Sequence, residues 1–274
     1  MITKKELNFF KKEGYLIKNT NSIDSLNQIQ SFIFNTLNKH SKINFSNDSK
    51  INFFTKFHKN INKKKLNEIR VSAINDINKK NGFRDLYYEA AKELLDDLVG
   101  NEVAMQKKIN LSIQIPNDKK SILPMHSDIY AGESPFEVVI WIPMMNVKKS
   151  SHSMFITNPR DNIKINKDVT TGGKSTLQKI YQKHKKKFKF IKIDYGQILI
   201  FSPIIQHGNV INRTDETRIS LNCRFKSLLT PFDVFSKTHR NIPHFFQPYN
   251  IKPLTQIGFN FINAINKKKF HGSL

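Results

Sequence analysis

Acidic residues are scarce in this chain: 22 Asp and Glu stand against 45 Lys and Arg, a formal charge of +23. The imbalance excludes an acidic solvating composition and gives the molecule a long-range attraction for anionic small molecules or polyanions. Cysteine is almost missing. The single Cys223 excludes an internal disulfide framework, fits a reducing cytoplasm, and lies in an apolar run that marks it as a core residue. No stretch of about 18 apolar residues occurs, so no membrane-spanning helix is expected. The start, Met1-Ile2-Thr3-Lys4-Lys5-Glu6-Leu7, lacks the apolar centre of a secretory signal. Tryptophan appears once, as Trp141, whereas 22 phenylalanines supply ample bulk for a core.

What the chain does have is lysine in short scattered runs, at Lys63-Lys64-Lys65, Lys185-Lys186-Lys187 and Lys267-Lys268-Lys269. These do not form one aromatic-interleaved stripe. Beside the abundance of Asn, Ile and Phe, they fit AT-rich coding as well as a functional charge. The length of 274 residues suits one domain, 1–274, with embellishments. Its first part, 1–100, reads as mostly helical. Leu7, Phe9 and Phe10 mark a helix over Lys4–Lys12 that stops at Gly14, with a short strand at Tyr15-Leu16-Ile17. Leu26, Ile29, Ile33 and Leu37 mark a second helix over Asp24–Leu37, and Arg84–Val99 reads as another. The Asn- and Lys-rich stretch Lys39–Lys65 looks least structured, although Phe53, Phe54 and Phe57 argue against full disorder.

After Gly100 the pattern turns to strands. Ile109–Ile115 alternates apolar and polar residues, and Phe136–Met145 is nearly continuously apolar. Phe155-Ile156, Phe188–Ile193, Ile198–Phe201, Val210-Ile211 and Arg218–Phe225 supply further strands. The expected fold is mainly β with flanking helices: a jelly-roll, cupin-like core over 101–230 with a polar insertion at 161–187 and a C-terminal extension at 231–274. Within the insertion a helix is expected around Ser175–His184, and in the extension another over Leu254–Ile265. Gly172-Gly173-Lys174-Ser175-Thr176 is no phosphate-binding P-loop, because Asp168 stands where the motif needs its first glycine.

The chemistry concentrates in His126-Ser127-Asp128, His207 and Arg218-Ile219-Ser220. Two imidazoles and a carboxylate are the ligand set of the facial triad that holds non-haem Fe(II). On a strand, His126 and Asp128 would share a face, and His207 would arrive from another strand. No other histidine in the chain has Asp or Glu two places on. Arg218 follows His207 by eleven residues. Its planar guanidinium suits the distal carboxylate of 2-oxoglutarate, and the Ser220 hydroxyl on the same face adds a donor. Glu137 is expected to be an exposed strand residue, with Ser134 as an alternative lining of the substrate mouth. Recognition of the substrate is expected from Ser150–Lys187 and from the C-terminal extension, since loops carry specificity.

This constellation resembles the phytanoyl-CoA hydroxylase-like branch of the Fe(II)/2-oxoglutarate oxygenases. More narrowly, Leu111–Pro116, Leu123–Asp128 and Ser134–Pro143 are similar to the bacterial "sporadic carbohydrate cluster" oxygenases. The resemblance implies a double-stranded β-helix and O2 as oxidant. It implies His126, Asp128 and His207 as iron ligands, and Arg218 with Ser220 as the 2-oxoglutarate site. It also places Trp141 beside the keto acid and Gln114 in the same pocket, and points to a sugar, or a nucleotide- or lipid-linked sugar, as small-molecule substrate. Two other readings stay open. Arg218 and Arg224 leave five residues between them, as the paired arginines of AlkB-type nucleic-acid demethylases do. A metal-free jelly-roll that binds a sugar or a protein would use the same fold without turnover.

Overall fold

The computed structural model describes residues 1–42, 49–172, 176–231, 242 and 244–267. The described residues of its first hundred fold as five α-helices, two short 3-10 turns and one strand. Helix α1 (Lys4–Glu13) opens on a reciprocal capping box between Thr3 and Glu6 and ends at Gly14, whose φ of 77° is the left-handed cap that glycine adopts without strain. Strand β1 (Tyr15–Asn19) follows, then α2 (Ile23–Ser41), capped by the Ser22 hydroxyl. Helix α3 (Lys50–Lys56) lies inside the stretch expected to be least structured; Phe53, Phe54 and Phe57 are fully buried and hold it to the core. Residues 43–48 of that stretch lie outside the described residues. Helix α4 (Leu66–Lys79) was not foreseen, because Ile69, Ala73 and Ile77 make a narrow stripe among polar residues. Helix α5 (Phe83–Leu98) buries Tyr87, Ala90, Ala91, Leu94 and Leu95.

The remaining strands are β2 (Val103–Gln106), β3 (Asn110–Gln114), β4 (Glu137–Pro143), β5 (Met154–Ile156), β6 (Lys189–Phe190), β7 (Gln197–Phe201), β8 (His207–Asn209), β9 (Arg218–Ser227) and β10 (Phe246–Asn250). They form two antiparallel sheets. The larger runs β1-β7-β4-β9-β2-β10, and β3 also pairs with β9; the smaller runs β6-β5-β8. Strand β9 is the spine. One edge pairs with β4; the other takes β3 against Arg218–Asn222 and β2 against Phe225–Ser227. The chain between the helical region and the extension is therefore a two-sheet antiparallel arrangement. Helices, however, hold about half of the chain, so the expectation of a mainly β molecule is corrected to a mixed one.

Alternation along the strands explains the layering. Ile219, Leu221, Cys223 and Phe225 of β9 and Ile140 and Ile142 of β4 face one side, where they pack with Leu26, Ile29, Phe53, Tyr87 and Leu94 of the helices. Tyr87 donates to the Ile140 carbonyl at 2.8 Å and Gln30 to the Met144 carbonyl at 2.9 Å, so polar side chains also fix the helices on the sheet. The other side of the sheet presents Val139, Trp141, Leu199 and Phe201 to Met154, Ile156, Ile191 and Ile193. Every second residue of β9 on that inner side is polar: Arg218, Ser220, Asn222, Arg224. An apolar outer stripe and a polar inner one on a single strand is the mark of a site built into the sheet.

Within 161–187, α7 (Leu177–His184) lies where a helix is expected, and with α6 (Pro159–Gly172) it packs Ile165, Ile180 and Tyr181 on Phe155 and Phe188. The third strand of the small sheet is His207–Asn209 rather than Val210-Ile211. The extension contributes β10, antiparallel to β2, and α8 (Pro253–Lys267), where the expected helix lies. Residues 173–175, the middle of the rejected P-loop, lie outside the described residues. No helix among the described residues is long and apolar enough to cross a membrane.

Candidate metal centre

The segment carrying His126 connects β3 and β4 of the larger sheet and, at His126, runs antiparallel beside β8 of the smaller one. His126 and His207 exchange backbone hydrogen bonds of 2.9 and 2.8 Å, an antiparallel bridge that sets their rings side by side, with centroids 4.2 Å apart. Asp128 is not on a strand, as the sequence led us to expect; it opens a short 3-10 turn, Asp128–Ala131. The outcome for the side chains is unchanged. The ligand atoms of His126, Asp128 and His207 lie within 4.8 Å of one another, with Asp128 Oδ1 3.4 Å from His126 Nε2 and 3.8 Å from His207 Nε2. Among the described residues this is the one such cluster of His, Cys, Asp or Glu.

The far side of each ring settles its tautomer. His126 Nδ1 lies 2.8 Å from the Pro124 carbonyl and His207 Nδ1 3.0 Å from the Ile205 carbonyl. A carbonyl only accepts, so each Nδ1 carries the proton and each Nε2 offers its lone pair to the shared point. Burial, and then His126 close by, push His207 down to about 4, which keeps its ring neutral near neutral pH. Burial works against the Asp128 carboxylate, but His207, His126 and Arg224 outweigh it and hold the group well below the usual carboxylate range. Two imidazole nitrogens and a charged oxygen therefore converge on one point. That donor set fits a divalent first-row cation.

Beside the cluster lies a cavity of about 100 Å³, lined by the three ligand residues with Trp141, Arg218, Asn222 and Arg224 among others. Arg218 is 3% exposed, and its Nε and Nη1 have no hydrogen-bond partner among the described residues; only Nη2 reaches the Ser112 hydroxyl, at 3.5 Å. Burial lowers Arg218 to about 10, still charged at neutral pH. A buried guanidinium without an anion is costly, and this one faces a cavity with two of its nitrogens uncommitted among the described residues. Trp141 is buried in the cavity wall with the Arg218 guanidinium 5.8 Å from its ring centroid. The Ser220 hydroxyl is buried with no hydrogen-bond partner among the described residues. Gln114 stands opposite Arg218 in the β3–β9 register; its amide donates to the Val210 carbonyl at 2.7 Å, and its oxygen is left without a partner. Neither Ser220 nor Gln114 lines the cavity.

Other sequence readings move. Glu137 is 2% exposed rather than a surface residue, and neither it nor Ser134 lines the cavity. Of the described residues in Ser150–Lys187, only Met154 reaches the lining. Arg224, noted in the sequence only for its spacing from Arg218, donates to Asp128 Oδ2 at 2.8 Å. Its place six residues along the same strand put it on the same inner face as Arg218, but nothing in the spacing paired it with Asp128.

No protein-family model matches the chain, and no curated protein matches it. Solved structures do. A nickel complex of ThoJ, a non-heme monooxygenase, is 14% identical with a TM-score of 0.52, over 95% of each chain. EctD from S. alaskensis, solved with 2-oxoglutarate and 5-hydroxyectoine, is 14% identical with a TM-score of 0.56, over 85% of this chain and 78% of that one. HygX from Streptomyces hygroscopicus, with nickel and 2-oxoglutarate bound, is 10% identical with a TM-score of 0.54, over 84% of this chain and 89% of that one. At these identities the likeness is one of fold, and the fold is shared with non-heme oxygenases.

Proposed function

We propose that the chain is an Fe(II) and 2-oxoglutarate dependent oxygenase of a small molecule, a single domain whose two sheets form the jelly-roll. The observation that carries this is the convergence of His126 Nε2, His207 Nε2 and Asp128 Oδ1, with both Nδ1 atoms already committed to backbone carbonyls. The buried, under-partnered Arg218 supports the co-substrate half of the reading, and the fold shared with HygX and EctD agrees with both halves.

In this reading His126, Asp128 and His207 hold Fe(II), and 2-oxoglutarate lies with its distal carboxylate on Arg218; Ser220, expected beside it from the sequence, stays behind the cavity wall. Bound together there, they would supply the oxidising chemistry: dioxygen is consumed, the keto acid leaves as succinate and carbon dioxide, and one oxygen atom passes to the substrate. The residues contribute position and exclusion. Arg218 offers a fork of two parallel donors to one carboxylate and so fixes its direction. Trp141, Val139, Phe201 and Met154 make the adjoining wall apolar, which keeps water from the reacting carbon. Asn222 supplies an amide on the same wall for a polar group of the substrate, whereas the Asn209 amide is engaged by Leu123 N–H and the Ser121 carbonyl.

The sequence likeness of Leu111–Pro116, Leu123–Asp128 and Ser134–Pro143 supports a sugar or a nucleotide- or lipid-linked sugar as substrate, the charge of +23 supports an anionic one, and the single Cys223 supports a cytoplasmic setting. The test is succinate formation from 2-oxoglutarate under air with added Fe(II). Asp128→Ala should reduce it to background while keeping the parent's far-ultraviolet circular dichroism. Equal turnover in parent and variant sinks the proposal.

A further inference from the structure

The two oxygens of Asp128 do different work. Oδ1 faces the imidazoles at 3.4 and 3.8 Å, whereas Oδ2 accepts from Arg224 Nη2 at 2.8 Å. Arg224 is in turn held from two other directions. Its Nη1 and its backbone N–H both donate to Gln106 Oε1, each at 3.2 Å, and its Nε lies 3.5 Å from Glu133 Oε1. Glu133 follows the same turn, its backbone N–H reaching the Asp128 carbonyl at 3.4 Å. The segment that carries the ligand thus also carries the counter-charge of the arginine that orients it.

We propose that Arg224, clamped by Gln106 and Glu133, is the positioning residue that makes Asp128 a one-oxygen ligand. The inference rests on the reading of the cluster as a metal centre. A carboxylate free to turn binds a divalent cation through one oxygen or two. Once Oδ2 is engaged by a planar guanidinium, the two-oxygen mode costs a charge-assisted hydrogen bond in a buried place. One-oxygen ligation from Asp128 leaves three coordination positions for the bidentate keto acid and dioxygen; two-oxygen ligation leaves only two. Glu133 also removes an electrostatic objection. A lone buried cation beside the ligand would repel the metal, whereas the Asp128–Arg224–Glu133 set carries a net negative charge. Lysine could replace the charge of Arg224 but not its three-way fork.

The experiment uses Co(II) as probe, added anaerobically to the metal-free full chain, its affinity followed by calorimetry and its coordination number by the d–d absorption. Unsubstituted protein is expected to give the weak bands of six-coordinate Co(II). Arg224→Lys should lower affinity about 10- to 100-fold and change the band shape. Glu133→Gln, which keeps the shape of the side chain, should lower affinity by about 10-fold, at the small end of the same range. A purely structural role would shift thermal melting of the metal-free protein and leave the bands alone. Native affinity with native bands in Arg224→Lys, or in Glu133→Gln where the first variant does not fold, overturns the inference and leaves the metal-centre reading standing. Failure of the unsubstituted protein to bind Co(II) overturns that reading and this inference with it.

Discussion

At the scale of single residues, Arg218 is the most exposed to test. Arg218→Lys keeps the charge but replaces two parallel donors by one point charge. Loss of about 1.5–3 kcal/mol in one charge-assisted contact corresponds to roughly a tenfold or greater weakening of 2-oxoglutarate. A raised KM for 2-oxoglutarate with unchanged metal affinity is the expected pattern; an unchanged KM contradicts it. Glu137 gives a pH prediction. Burial, and then the Glu133 carboxylate, push it up to about 8 from an ordinary 4.5. Between those values the folded chain keeps a proton that the unfolded chain has lost, so this group makes stability fall as pH rises from 4.5 to 8. Glu137→Gln should therefore exceed the parent in stability by a few kcal/mol at pH 8 and differ little at pH 4.5, measured by urea unfolding. Parallel pH profiles for the two proteins would count against it.

Among elements, the β8 strand and the segment beside it decide whether the ligands meet. A Cβ on Gly208 would lie 2.8 Å from the Leu123 carbonyl oxygen, 2.9 Å from the Phe155 ring and 3.0 Å from the Pro124 carbonyl oxygen. Pro124 O is the acceptor that orients His126, so Gly208→Ala should push the two ligand segments apart and weaken Co(II) binding before it unfolds the chain. Native metal affinity in that variant contradicts the account of the bridge. Helix α3 is the second case. Phe53→Ala leaves a ring-sized hole among Phe34, Phe54 and Phe57 and should cost about 3–5 kcal/mol in chemical denaturation. What could be read from sequence follows from period. Helices α1, α2 and α5 show broad apolar stripes, and β3, β4 and β9 show alternation or long apolar runs, so both kinds of element were legible. Helix α4 and the packing of α6 and α7 were not, since their few apolar positions find partners only in tertiary structure. Among the site residues, His126, Asp128, His207 and Arg218 were visible as spacing. Arg224 was not visible as a partner of Asp128, because a turn rather than a strand places the carboxylate.

For the whole molecule, the charge of +23 sets two expectations. Self-repulsion of so many cations should be relieved by salt, so the thermal midpoint should rise as NaCl goes from roughly 0.05 to 0.3 M, where the screening length shortens about 2.5-fold. The same charge will draw oligonucleotides at low salt. If that attraction is only electrostatic, it should vanish near 0.15 M or about there and show no base preference, whereas retained, base-selective binding would favour the demethylase reading. The central claim, that a ferrous ion and a keto acid share the cavity between the two sheets, has a direct optical test. Anaerobic addition of 2-oxoglutarate to the Fe(II)-loaded protein should raise a weak visible charge-transfer band in the parent and none in His207→Ala. A parent that binds Fe(II) yet shows no such band at saturating 2-oxoglutarate would contradict the claim.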